Sequence, residues 1–280
     1  MKSAASLALL IPAYNAANHL PRLLTSARAQ TQAFDEIWVY DDCSIDDTAE
    51  VAERYGARVY RGDVNRGCSS GKNRLAKVTT ADWIHFHDAD DDLVPGFVAL
   101  ARRWIENGES DVVLFGYEEI DDETGAHLAY RRFDHNDVSI DARSYAIRRQ
   151  INPFCGLYRR EKFLSTGGYD EDPLVLYNED VAFHLRLAFS GLSFAAESEI
   201  AIINRRRMNS MSSANRTKCL QAQYHVMRKT AAHEGASCYA KLISARLWSI
   251  AGCLAGELDW KTADSAAKLA VELADLDAVP

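Results

Sequence analysis

The segment His87-Asp88-Ala89-Asp90-Asp91-Asp92 sets four carboxylates within five consecutive positions. Carboxylates crowded at the mouth of an apolar strand repel one another unless a cation or solvent neutralises them. Asp88 and Asp90 can converge on one Mg²⁺ or Mn²⁺ together with a bound phosphate. Such hard cations usually keep waters and take only one or two carboxylates. A solvated acidic turn capping the helix at 95 is the alternative, and it is the better reading of an isolated D-x-D. Here an apolar strand in front, and a second acidic strand end elsewhere, favour a site. That second end is Asp41-Asp42, after Ile37-Trp38-Val39-Tyr40. A carboxylate there can accept from a ring N–H of a base or from ribose hydroxyls. The neighbouring Ser44 and Asp46 read as caps of the following helix. Tyr14, just beyond the first strand, can stack on a nucleobase or pack as an ordinary loop tyrosine.

Four further clusters carry chemistry less sharply. Gly67-Cys68-Ser69-Ser70-Gly71-Lys72-Asn73 looks like a phosphate loop, but it is one residue short of Walker A and has Asn73 where Ser or Thr should bind magnesium. Lys72, near a helix start, suits a pyrophosphate or ribose, with a solvated lysine as the alternative. Asn178-Glu179-Asp180 opens an apolar-periodic segment. On the residues alone the two acids read as dipole-complementing caps, with a general base as the second reading. Arg205-Arg206-Arg207, followed by Ser210 and Ser212, can close over a diphosphate or remain a solvated loop. His85 and His87 read as buried, hydrogen-bonded imidazoles rather than metal ligands.

These residues need a scaffold that brings strand ends together. Strands are expected at 6–12, 36–42, 57–62, 81–91 and 110–120. Helices are expected at 19–30, 46–56, 69–79 (capped by Ser69 or Ser70) and 95–108. Such alternation specifies an α/β fold, a mostly parallel sheet flanked by helices. Ligands bind such sheets beyond the carboxyl ends of the strands. Three of those ends carry Pro12-Ala13-Tyr14-Asn15, Asp41-Asp42-Cys43-Ser44 and Asp88 to Asp92. The middle is less regular, with a strand near 127–133 and a helix at 141–150. From Arg216 the chain is helical, in two or three helices.

The chain has 280 residues, 48% hydrophobic and 26% charged, and a net charge of −8. That is ordinary globular composition, and the acidic balance argues against broad nucleic-acid binding. The apolar run Leu7–Ile11 is too short for a membrane span or a signal peptide, and no stretch of about 18 apolar residues occurs. The six cysteines are scattered without a CxxC pair, so free thiols in a reducing cytoplasm are expected.

In order along the chain, IPAYNAANHLPRLLTSARAQT, IWVYDDCSIDDT, NRGCSSGKNRLAK, HDADD and GGYDEDPLVLYNEDVAFHLRLAFSG resemble the motifs of glycosyltransferase family 2. One departure is Gly71-Lys72 in place of the family's Ala-Arg. The resemblance covers about residues 6–213 and implies a GT-A-like fold, with a helical extension at 214–280. It implies an inverting, sugar-nucleotide-dependent transferase, of hexosyl or N-acetylhexosaminyl type, working in bacterial glycan or polysaccharide biosynthesis. Pro12, Tyr14, Asn15 and Asp42 would lie at the nucleotide, usually uracil. Lys72, Asp88, Ala89, Asp90 and Arg207 would approach ribose and diphosphate. Asp88 and Asp90 would hold Mn²⁺ or Mg²⁺. Asp180 would be the catalytic base with Glu179 beside it, which displaces the cap reading. The implied partners are a nucleotide sugar, UDP-sugar foremost, and a glycan or lipid-linked sugar acceptor, with no nucleic acid. A lipid-linked acceptor would draw a cytoplasmic protein to the inner membrane face. Arg228, Lys229, Lys241 and Arg246 among apolar tail residues permit that contact, or a homodimer. Two other readings are a nucleotidyltransferase, which lacks its Gly-rich loop here, and a non-catalytic sugar-nucleotide-binding scaffold, which predicts a lost metal or base carboxylate, whereas Asp88, Asp90 and Asp180 are all present.

Overall fold

The computed structural model describes residues 4–207 and 215–275. In chain order the elements are β1 (Leu7–Ala13), α1 (Leu20–Arg28), β2 (Glu36–Asp41), α2 (Thr48–Arg54), β3 (Arg58–Arg61), α3 (Cys68–Val78), β4 (Trp83–Phe86), β5 (Asp92–Leu93), α4 (Phe97–Asn107), β6 (Val112–Asp121) and β7 (His127–Arg131). Then follow α5 (His135–Ile140), α6 (Ala142–Arg148), β8 (Gly156–Arg159), α7 (Arg160–Ser165), α8 (Glu179–Phe189), β9 (Phe194–Arg206), α9 (Arg216–Ala231), α10 (Ala240–Gly256) and α11 (Trp260–Asp275). The chain divides into two compact units. The first holds Met1–Ile140, Asn152–Tyr169 and Leu192–Arg207; the second holds Asp141–Ile151, Asp170–Gly191 and the chain from residue 208 onward.

The first unit contains the whole nine-stranded sheet, in the order β3-β2-β1-β4-β8-β6-β9-β5, with β7 paired to β6. Strands β1 to β4 are parallel, as strand–helix alternation requires. Beyond β4 the sheet turns mixed: β8 is antiparallel to both β4 and β6, while β6 and β9 are parallel. β1 lies in the interior, and Leu7 through Ile11 are completely buried, because helices cover both faces. α1 buries Leu20, Leu23, Leu24 and Ala27, one face at helical spacing. α4 ends at Gly108 in the left-handed conformation, as its terminal glycine predicts.

The structure changes three local expectations. The strand expected over 81–91 stops at Phe86, because the His87 N–H closes the ladder on the Leu10 carbonyl and the acids then turn away. The cap of α3 is Gly67, at φ 86°, rather than Ser69 or Ser70, which lie within the helix. β5 was not expected, since two residues paired to Ile202 and Ile203 carry no periodic signal.

The second unit is helical, built from α6, α8, α9, α10 and α11. α10 buries Ile243, Leu247, Ile250 and Leu254, and α11 buries Ala263, Ala266, Ala270 and Leu273. The small alanines let the two helices approach closely, and Ser244 Oγ donates to the Ala270 carbonyl at 2.7 Å. Lys229 pairs with Asp170 at 2.8 Å and Asp172 at 2.6 Å inside this unit, so it is not a spare surface cation. Among the described residues no helix is long and apolar enough to cross a membrane, and all six cysteines are free thiols.

Candidate functional site

Parallel strands point their carboxyl ends the same way, so β1, β2 and β4 deliver Pro12 to Asn15, Asp41-Asp42 and Asp88 to Asp92 to one edge of the first unit. Pro12 has no N–H, yet it sits in an interior strand. It is tolerated because the β1–β4 register ends at Leu10, two residues earlier. Asn15 takes the left-handed conformation at φ 50°, which asparagine accepts more readily than most residues. Its side-chain oxygen accepts from Ile45 N–H at 3.0 Å, so it pins the loop after β2. Tyr14 beside it is half exposed, with its ring available for stacking.

Asp42 is 4% exposed. Its two oxygens accept from the Arg66 and Gly67 backbone N–H groups at 2.9 and 2.7 Å. The carboxylate thus shapes the loop entering α3, and each oxygen keeps a second lone pair for a further donor. Lys72 departs furthest from its alternative reading as a solvated lysine, for it is 1% exposed. Its Nζ lies 3.8 Å from Asp88 Oδ1 and 5.0 Å from the centre of the Tyr169 ring. Gly71 is what allows this burial. A Cβ there would stand 2.8 Å from the Tyr40 ring and 3.3 Å from Pro12, so only glycine lets α3 lie this close on β1 and β2. Asn73 completes the corner, donating to the Tyr169 carbonyl at 3.0 Å and accepting from its N–H at 2.8 Å.

The five residues Asp88 to Asp92 divide by direction. Asp88, Ala89 and Asp90 are part-exposed in a turn; Asp91 and Asp92 point inward. Asp91 accepts from the Asn204 amide at 2.9 and 3.1 Å and from Arg205 N–H at 2.8 Å. Burial pushes its carboxyl well up, and the Asp88 and Asp90 charges add to the effect. Asp92 takes Arg22 Nε at 3.0 Å and Arg205 Nε at 2.7 Å. Asp122, just past β6, takes Arg207 Nε at 2.7 Å and Arg22 Nη1 at 3.1 Å. Arg207 also reaches Asp90, at 3.5 Å, and the His19 ring, at 3.1 and 3.3 Å. Arg207 is therefore at the acidic loop. Met208 to Ser212, with Ser210 and Ser212, lie outside the described residues.

His85 and His87 are completely buried, as expected. His85 Nδ1 donates to the Gly156 carbonyl at 2.8 Å, which leaves its Nε2 to accept from His87 Nδ1 at 3.1 Å. Burial pushes His85 down to about 4 and His87 well below its ordinary value, so both imidazoles are neutral.

Glu179 and Asp180 belong to the second unit, in the first turn of α8. The N-cap residue of that helix is Asn178, and the two acids follow it in the first turn, where they complement the helix dipole. The Asp180 carbonyl accepts from His184 Nδ1 at 2.9 Å, while its carboxylate is on a part-exposed residue.

Asp88 and Asp90 offer the oxygen-donor chemistry that a hard divalent cation takes. They are two carboxylates from one loop, 34% and 43% exposed. Among the described residues no three His, Cys, Asp or Glu side chains form a closed ligand set. A cation here would complete its shell with water and phosphate oxygens, as magnesium and manganese do.

Sequence reasoning missed His19, Arg22, Asp92 as an arginine anchor, and Asp122. Asp122 follows an apolar strand with a second acid beside it, the same signal that marked Asp41-Asp42. Arg22 gave none, since its partners lie 70 and 100 residues away.

The family profile described as Glycosyl transferase family 2 matches residues 8–166. An uncharacterized glycosyltransferase of Haemophilus influenzae is 32% identical over 90 residues, which cover 32% of this chain and 31% of the relative. Another from Rickettsia felis matches over 22% of its own length, so the chain spans a third or less of these relatives. The succinoglycan biosynthesis protein ExoU of Rhizobium meliloti is 27% identical over 235 residues, covering 79% of this chain and 68% of the relative. Among solved structures, TarS 1–349 of S. aureus in complex with UDP-GlcNAc aligns with a TM-score of 0.71 at 19% identity, over 87% of this chain and 72% of that one. The mannosyltransferase PcManGT from Pyrobaculum calidifontis, in complex with GDP-Man and Mn²⁺, aligns at 0.62 and 15% identity, over 99% and 87%. The structures support a GT-A-like fold, and the profile spans more than half of the sequence from β1 past β8. The chain belongs to glycosyltransferase family 2.

Proposed function

We propose that the protein moves a sugar from a nucleoside diphosphate sugar, a UDP-sugar first, to a hydroxyl of a glycan or lipid-linked sugar acceptor, with inversion at the anomeric carbon. The observation that carries this reading is the buried ammonium of Lys72 beside Asp88, at the strand edge that also presents Asp90 and Arg207. A diphosphate needs that mixture of fixed positive charge and hard carboxylates. UDP-GlcNAc in TarS supports a hexosyl or N-acetylhexosaminyl donor, and the succinoglycan role of ExoU supports a polysaccharide product.

Pro12, Tyr14, Asn15 and Asp42 are assigned to the nucleoside, with Tyr14 stacking on the base and Asp42 accepting from its N–H or from ribose. Lys72 and Arg207 hold the diphosphate, and Ala89 gives it room in the turn. Asp180, with Glu179 beside it, takes the proton of the acceptor hydroxyl as that oxygen attacks. The bond between the anomeric carbon and the diphosphate oxygen breaks, and its electron pair leaves with the nucleoside diphosphate. Asp88 and Asp90 would hold Mn²⁺ or Mg²⁺, and the ion would supply charge neutralisation to that leaving group.

Calorimetric titration with UDP, with and without Mn²⁺, tests the reading. Metal-dependent binding that collapses in Asp90→Ala supports it. GDP bound in preference to UDP would move the donor to the chemistry seen with PcManGT, and binding of neither would overturn it.

A further inference from the structure

Arg207 has one planar guanidinium and two carboxylates within reach. Its Nε is 2.7 Å from Asp122 Oδ2, whereas its Nη1 is 3.5 Å from Asp90 Oδ2. Asp122 is itself held in place. Arg22 Nη1 and Arg205 Nη1 lie 3.1 and 3.5 Å from its other oxygen, and its own N–H donates to the Arg206 carbonyl at 3.1 Å. Asp92 takes the Nε of Arg22 and of Arg205, which fixes both of those side chains. Arg22 also caps the Asp90 carbonyl at 2.6 Å, so the acidic turn is tied to the same cluster. Asp90 is the most exposed of the three aspartates, at 43% against 8% and 17% for Asp92 and Asp122.

We propose that Asp122 is a positioning residue: it holds Arg207 by Nε at the rim of the site, so that Arg207 meets Asp90 only at 3.5 Å and does not close on the carboxylate that is to receive a divalent cation. This rests on the metal and diphosphate reading of the same site. Without the Asp122 charge, the carboxylate left within reach of Arg207 is Asp90. A bidentate arginine–carboxylate pair then forms where the cation must bind. Asp122 thereby decides whether Arg207 is a partner of the diphosphate or a competitor of the metal.

The test is a double-mutant cycle on Mn²⁺ affinity, measured by calorimetry and by the EPR signal of free Mn²⁺, with Mn²⁺ alone and with UDP present. Asp122→Asn should weaken Mn²⁺ binding about tenfold. Arg207→Gln should restore it, and should tighten Mn²⁺ about tenfold more in the Asp122→Asn background than in the wild type. If the two changes act only through long-range charge, Arg207→Gln has the same effect in both backgrounds, and that result overturns the proposal. Asp122→Glu keeps the charge but moves it by a methylene. Weakened Mn²⁺ binding in that variant supports positioning, and wild-type affinity overturns it, even should Asp122→Asn fail to fold. Wild-type protein that shows no Asp90-dependent Mn²⁺ binding at all would instead remove the metal reading, and this inference with it.

Discussion

Lys72 occupies a position where a charge cannot be hydrated, and Asp88 at 3.8 Å with the Tyr169 ring beneath it provides the compensation. Replacing it with methionine keeps the stem's packing and removes the charge. Lys72→Met should weaken UDP binding about ten- to hundredfold, read by calorimetry, with secondary structure unchanged. Asp180→Asn should behave oppositely: donor binding retained and transfer reduced about 10²- to 10⁴-fold, the range a positioned base contributes. A mutant that loses both would return Asp180 to a helix-terminus role. The legibility of these residues followed from their place. Acids at the ends of apolar strands stand out, because sheets of this kind bind ligands there. Lys72 was readable as a candidate, but its burial was not, since that depends on Tyr169, far along the chain. Arg22 was unreadable for the same reason, and so was the pairing of Asp122 with it: an ion pair across 100 residues has no local period.

At the scale of elements, the junction of α3 with β1 and β2 is set by one missing methyl group. A Cβ at Gly71 meets the buried Tyr40 ring at 2.8 Å, with Pro12 close behind. Gly71→Ala should cost about 1–3 kcal/mol in urea unfolding, as overpacking in a close-packed interior does. It should also lift Lys72 away from Asp88, so UDP affinity falls along with stability. If Gly71→Ala is as stable as the wild type, the close approach is not what places α3. The helices and the first four strands were legible from apolar spacing and terminal glycines. β6 and β7 were legible too, whereas β5 and β8 were not, because β5 is two residues long and β8 pairs antiparallel with strands far away in sequence.

For the molecule as a whole, the buried imidazole pair makes stability depend on pH. In the unfolded chain each histidine titrates near its ordinary value of about 6.5, while in the fold burial keeps both neutral to much lower pH. Between those limits the unfolded state binds more protons, so stability rises with pH. The thermal midpoint should therefore fall as pH is lowered from 7 to 5, and His87→Leu should make that slope shallower; an unchanged slope would exclude the pair as its source. Donor binding acts on the same global equilibrium. UDP with Mn²⁺ at a hundredfold excess over Kd should add about 2.7 kcal/mol of stability, visible as a raised thermal midpoint. Asp90→Ala should abolish the increment contributed by Mn²⁺.

The reversal at β8 also has a consequence for synthesis. β4 is buried along its whole length, and β8, the strand that flanks it opposite β1, arrives 71 residues later, counted from His85 to Gly156. At about 5–20 residues per second, the ribosome needs roughly 4–14 s to supply that partner. During that interval the nascent chain carries the apolar edge Trp83-Ile84-His85-Phe86 with open backbone donors and acceptors, a template for pairing with a neighbouring chain. A chain stalled or truncated before Gly156 should therefore aggregate or be captured by a chaperone, while one that has released β8 closes its own edge.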